Sequence, residues 1–305
     1  MSGTTPADHE AAKKSLTRYL NLVFGRPGET PTLDEYGMFL AHAAGLRSDD
    51  LSRQVGAALL SKSGELLSVG CNEVPKFGGG QYWCDDPQDQ RDRARGFDAN
   101  DKEKQHCIEE VARAIFPEWF GDDLVRVITE RLQGTRIVSL TEFGRAVHAE
   151  MEAVSAACRK GLSVRDASAY TTLFPCHNCA KHLVCAGIRR VVYVEPYPKS
   201  KVSDLHDDSV TLVEDGKPAS KVVFEPFCGV APRVYPLLFS DIGPDGQRME
   251  KKWKDGKVRP DPWGLRLAES PLSYIDREAI AAESVANLAQ ARALVVSGPH
   301  EGDGT

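Results

Sequence analysis

The chain has 305 residues, enough to bury roughly 75% of the surface its unfolded form would expose, so size permits one large domain or two small ones. It is 41% hydrophobic and 27% charged, an ordinary globular balance that excludes an intrinsically disordered chain. A net charge of -6 favours small-molecule substrates over nucleic acid, and with no signal-like N-terminus and no apolar run of ~20 residues the chain reads as cytoplasmic, without a membrane partner.

Residues 1–30 hold a short amphipathic stretch around Leu16, Tyr19, Leu20 and Phe24, then the turn-rich GRPGETP, and read as an N-terminal extension. Thr32 and Glu35 make a capping-box pattern ahead of EYGMFLAHAAGL, which predicts a helix over 33–46. QVGAALLS and ELLSVGCN, separated by Lys62-Ser63-Gly64, predict a hairpin. Residues 76–140 read as a long insertion: a glycine-rich segment at Gly78–Gly80, a charged tract, and helices over 101–115 and 121–133. From 146 the pattern is regular: helix AVHAEMEAVSAACRKG, strand SAYTTLF, helix CHNCAKHLVCAG, strand RRVVYVEP and a later strand KVVFEP. That alternation predicts an α/β sheet with helices on both faces, within a body spanning 31–240. Residues 241–305 read as a C-terminal extension packed on that body, with Trp253, Trp263, a helix over 276–293 and a loose end GPHEGDGT.

Two short motifs carry the chemistry. His148-Ala149-Glu150 and Pro175-Cys176-His177-Asn178-Cys179 fit H-x-E followed by P-C-x-x-C, the pattern of zinc deaminases. Cysteines three apart on a first helical turn face the same side, and amides at a helix N-terminus stabilise the thiolates that bind metal. His148, Cys176 and Cys179 would fill three positions of a tetrahedral zinc and leave one open for water, whose pKa zinc lowers to about 7. Glu150, two residues beyond the ligand, is placed to move protons and not to bind the metal. A lone Cys-x-x-Cys also suits a redox pair or half of a structural zinc site. The upstream His-x-Glu and the lack of a second Cys-x-x-Cys favour catalysis. Arg47 and Arg53 flank the first strand and are phosphate candidates, with surface salt bridges as an equal reading. Cys71, Cys158, Cys185 and Cys228 read as small core residues.

The segments DEYGMFLAHAAGLRS, LSRQVGAALL, GCNEVPKFGGGQYW, GRAVHAEMEA, TTLFPCHNCAKHLVCAGI, VVYVEPYPKSK and FEPFCGVAPR resemble the cytidine and deoxycytidylate deaminase superfamily. The likeness covers about residues 15–290 and is greatest to the deaminase domain of bacterial anti-phage dCTP deaminases. Such proteins often carry an N-terminal P-loop kinase-like domain, and no G-x-x-x-x-G-K-[ST] pattern occurs in this chain. The resemblance implies an α/β fold, a three-layer α/β/α sandwich with a central mixed sheet of about five strands. It implies zinc-dependent hydrolytic deamination of a deoxycytidine nucleotide, dCTP or dCMP, in anti-phage defence. It also implies that Asn72 contacts the sugar hydroxyl, that Tyr197 stacks near the pyrimidine, and that Lys199 and Ser200 contact phosphate. A turn-capping Asn72 and a solvated 197–200 loop are the plainer alternatives. By the same likeness Cys84, His106 and Cys107 are candidates for a second, structural metal site. Deamination of cytosine in single-stranded DNA or RNA is the rival activity, a catalytically silent zinc module the rival class, and the assembly state is left open, a homo-oligomer included.

Overall fold

The computed structural model describes residues 6–266 apart from positions 120, 136, 213–219, 244–245, 263 and 265. The chain divides into two compact units, residues 30–239 and the terminal segments 1–29 with 240–305. In the terminal unit the N-terminal amphipathic stretch is a helix, α1 (Pro6–Val23), and the buried Arg266 donates its amide to the Val23 carbonyl at 2.8 Å. The same unit holds two isolated bridges, Ile242 with Arg248 and Lys252 with Val258, and the Arg259 guanidinium lies 4.3 Å from the Trp253 ring centroid. Trp263, the helix predicted over 276–293 and the GPHEGDGT end lie outside the described residues. No helix among the described residues is long and apolar enough to cross a membrane.

The larger unit opens on the predicted capping box. Thr32 Oγ1 accepts from the Glu35 amide at 3.2 Å and Glu35 Oε2 accepts from the Thr32 amide at 2.8 Å, which starts α2 (Leu33–Gly45). The hairpin follows as β1 (Gly56–Leu60) and β2 (Leu66–Cys71), turning at Gly64 with φ +88°, a conformation only glycine adopts freely. The insertion contributes α3 (Asp92–Arg95), α4 (Ala99–Ile115) and α5 (Asp122–Arg131). Next come α6 (Ala149–Arg159), β3 (Ser168–Leu173), α7 (His177–Cys185), β4 (Arg190–Glu195), α8 (Val202–Leu205), β5 (Val210–Thr211), β6 (Val222–Pro226) and α9 (Tyr235–Phe239).

One mixed sheet runs in the order β2-β1-β3-β4-β6-β5. β1 is antiparallel to β2 and β3, whereas β3, β4, β6 and β5 are mutually parallel. The sixth strand beyond the expected five is β5, two residues long. Alternation along the strands splits the core in two. Ala57 and Leu59 of β1 and Val191 of β4 pack with Ala149, Ala153 and Ala157 of α6 and Leu183 of α7. Ala58, Leu60 and Val192 face the other way, onto Met38 and Ala41 of α2. This is the three-layer arrangement, and each fully buried leucine contributes ~1.5–3 kcal/mol.

Two glycines set the spacing between layers. A methyl group on Gly70 of β2 would lie 2.3 Å from the Ala149 carbonyl oxygen and 2.5 Å from the Ala153 nitrogen, so α6 rests on bare backbone there. On the opposite face a methyl on Gly56 would lie 1.9 Å from the Ala41 carbonyl oxygen of α2. At the amino end of the parallel strands Arg190 donates to Asp34 Oδ1 at 2.6 Å and Oδ2 at 2.8 Å and also pairs with Glu225. The Tyr170 hydroxyl donates to Asp34 at 2.8 Å. This cluster ties the start of α2 to β3, β4 and β6, and it holds the Asp34 carboxyl below the usual range chiefly through the Arg190 hydrogen bonds.

The cysteine expectation needs correction. Cys71 is buried, but Cys158, Cys185 and Cys228 are exposed. Apolar neighbours in sequence do not fix which side of a helix or loop a residue takes.

Candidate active site

Backbone pairing decides where the catalytic helix starts. The Val147 amide donates to the Glu73 carbonyl at 3.0 Å, and the Glu73 amide returns a bond to the Val147 carbonyl at 3.3 Å. The chain therefore stays extended through His148, the N-cap of α6 (φ -64°, ψ 151°), and the helix begins at Ala149 instead of 146. Glu150 falls in the first turn and is buried. The second half is built alike. The Phe174 amide donates to the Glu195 carbonyl at 2.7 Å, prolonging the β3–β4 pairing, Pro175 ends the strand, and Cys176 is the N-cap of α7 with Cys179 in its first turn. Two helix N-termini thus converge beyond the carboxyl end of β3.

His148 Nδ1 lies 3.3 Å from Cys179 Sγ and 3.4 Å from Cys176 Sγ. Among the described residues this is the group of His, Cys, Asp or Glu side chains whose ligand atoms gather closely enough to hold one metal ion, all within 4.8 Å of one another. Hydrogen bonding from Cys179 and His148 pulls Cys176 down to about 4, and the hydrogen bond with Cys176 raises His148 to about 9. The buried Cys179 thiol is pushed up by the neighbouring Cys176. One imidazole and two sulfurs facing a common point suit zinc, and Nδ1 is the imidazole atom turned to it. Burial raises the carboxyl of Glu150, the direction that makes a carboxylate a usable proton carrier near neutral pH.

His148, Glu150 and Cys176 line a cavity of about 430 Å³, with Cys179 buried behind them. Asn72, Arg53, Tyr197 and Lys199 line it, and Ser200 does not: its hydroxyl donates to the Pro175 carbonyl at 2.9 Å, fixing the loop against the Cys176 turn. Asn72 faces the cavity while its amide is partly engaged, Oδ1 accepting from the Val55 amide at 2.7 Å and Nδ2 donating to the Arg53 carbonyl at 2.8 Å. Arg47 is spent elsewhere, donating to Gln81 Oε1 at 2.6 Å and the Tyr82 carbonyl at 2.9 Å with its guanidinium 3.7 Å from the Trp83 ring centroid. Cys84, His106 and Cys107 form no such metal-binding group among the described residues; Cys84 is exposed in a loop, and His106 and Cys107 are adjacent on α4, where successive side chains diverge.

Sequence reasoning missed one whole wall. Asp92, Asp98, Asn100, Asp101, Lys104 and Arg145, from the insertion and the segment after it, also line the cavity. Arg145 is committed to Asp92 at 2.6 Å and Lys104 to Asp101 at 2.6 Å. Arg53 and Lys199 are then the lining Arg and Lys residues without an ion pair among the described residues.

A buried acid beside an imidazole and two cysteine sulfurs, set at paired helix starts on an α/β/α sandwich, is the donor set that a metal-using hydrolase would need. Residues 31–195 match the family described as the cytidine and deoxycytidylate deaminase zinc-binding region, and the chain belongs to that family and is a cytidine-type nucleotide deaminase. The deoxycytidylate deaminase of Enterobacteria phage T4 is 32% identical over 162 residues, covering 53% of this chain and 77% of the phage protein. That of Mus musculus is 24% identical over 211 residues, covering 68% and 82%. The dCMP deaminase of cyanophage S-TIM5, solved in complex with dCMP and dUMP, aligns at 18% identity with a TM-score of 0.38, over 66% of this chain and all of that one.

Proposed function

We propose that this deaminase hydrolyses a deoxycytidine 5′-nucleotide, dCMP first and dCTP second, to the deoxyuridine nucleotide, with zinc held by His148, Cys176 and Cys179. The observation that carries this is the meeting of those three donors beside a cavity that His148, Cys176 and the buried Glu150 line. When bound, zinc supplies the Lewis acidity that makes water a nucleophile near neutral pH. Glu150 takes a proton from that water and gives it to the ring nitrogen beside the amino-bearing carbon, then takes the proton of the newly added hydroxyl as it becomes the carbonyl and delivers it to the amino group, which leaves as ammonia. Tyr197 offers an aromatic face to the pyrimidine, and Asn72 keeps one N–H free for the sugar. Arg53 and Lys199, free of ion pairs among the described residues, are the groups for phosphate.

The names of the phage and mammalian relatives support dCMP. The sequence likeness to anti-phage dCTP deaminases supports extending the substrate to dCTP and the role to nucleotide depletion during infection. The carboxylates on the cavity wall weigh against a nucleic-acid strand. The test is direct: zinc-loaded protein is incubated with dCMP, dCTP, CTP, deoxycytidine and a cytosine-containing oligonucleotide, and uracil is measured. Turnover of dCMP or dCTP is expected; turnover of the oligonucleotide alone would overturn the reading.

A further inference from the structure

The insertion reaches the catalytic helix through an ion-pair staple that no motif announces. Arg145 Nη1 donates to Asp92 Oδ1 at 2.6 Å and to the Gln90 carbonyl at 2.9 Å, with Asp92 mostly buried. Arg145 stands three residues before His148 and five before Glu150. Next to Asp92, Arg91 is clamped by Asp89 at 2.8 Å and points its remaining charge at Asp49, 3.8 Å away, and at the buried Glu73, 4.0 Å away. Glu73 completes a ring: its backbone pairs with Val147, and its Oε2 accepts from the Asp49 amide at 3.0 Å. The start of α3 therefore touches three segments that each carry a cavity residue: 49–53, 72–73 and 145–148.

We propose that Asp92 and Arg145 are positioning residues for catalysis, a pair that holds the backbone delivering His148 and Glu150 in register with the insertion wall. This rests on the deaminase reading of the site. The two side chains also face the cavity, so a direct contact with substrate phosphate is the competing role, and the two make different forecasts. Positioning acts on the reacting ring whatever the substrate carries, whereas a phosphate contact is felt by nucleotides only. Because the pair works through one joint, losing either member should cost about what losing both costs.

The experiment compares Asp92→Asn, Arg145→Gln and the double variant as full-length zinc-loaded proteins. Metal content, kcat and KM are read on dCMP and deoxycytidine, with amide hydrogen exchange of 88–96 and 141–148. Each single variant should keep its zinc and lower kcat about tenfold, by the same factor on both substrates, since small displacements of a reacting group cost that much or more. The double variant should fall no further than the worse single one. Exchange should speed up in both segments from either change, a readout that does not depend on turnover. Losses confined to dCMP, additive losses, unchanged kcat with only a lower melting temperature, or faster exchange in the mutated segment alone would each overturn the proposal. Failure of wild type to act on any deoxycytidine compound would instead sink the substrate reading, and exchange would still judge the pair.

Discussion

Glu150 sits where an acid is hardest to ionise, buried and beside two sulfurs, and its carboxyl is raised accordingly. On the proposed function it carries protons and does not hold metal, so Glu150→Gln should keep near-stoichiometric zinc while losing about 10²–10⁴-fold in kcat. Metal analysis and turnover on one preparation decide this; zinc lost together with activity would show the carboxyl to be a ligand. Lys199→Ala should raise KM for dCMP about tenfold and leave deoxycytidine almost untouched, because a point charge on phosphate binds ground and transition states alike. An equal penalty on both substrates would remove Lys199 from the phosphate. The gathering of His148, Cys176 and Cys179 was legible because ligand chemistry restricts both residue type and spacing. Asn100 and Arg145 were not, since only the folded insertion brings them to the cavity. Arg47 misled because a cation near a strand end is equally suited to the Gln81 and Tyr82 carbonyls that claim it.

Elements with a strong period were readable in place: α2 from its capping box, the hairpin from its turn, and the β3-α7-β4 run from alternating apolar strands. β5 escaped notice because two residues give no period, and α6 was read to begin early because the Val147–Glu73 bridge is a long-range pairing. The Asp34–Arg190–Glu225 cluster joining α2 to the sheet gives an acid-sensitive joint. Asp34 has a depressed pKa when folded, so its stabilisation is complete above the unfolded carboxylate value and is lost as pH falls through the lower, folded one. Asp34→Asn should therefore lower the melting temperature at neutral pH, and the gap to wild type should close progressively below about pH 4. A gap independent of pH would mean that packing, and not charge, is what Asp34 supplies.

At the scale of the molecule, the proposed zinc site links metal to fold, because its three donors come from the starts of two helices that meet only in the folded state. Zinc at a thousandfold excess over its dissociation constant adds about 4.1 kcal/mol. Chelation should lower the melting temperature, and added zinc should restore it; a melting temperature indifferent to chelator would count against His148, Cys176 and Cys179 as a zinc site. Gly70 lies away from the cavity, yet it governs that linkage. Since α6 rests on its bare backbone, a methyl there must shift the helix whose N-cap is His148 and whose first turn carries Glu150. Gly70→Ala would thus widen the gap between the imidazole and the two sulfurs, and the lesion would appear as metal hunger, cured by high zinc, in a protein whose ligands are all intact.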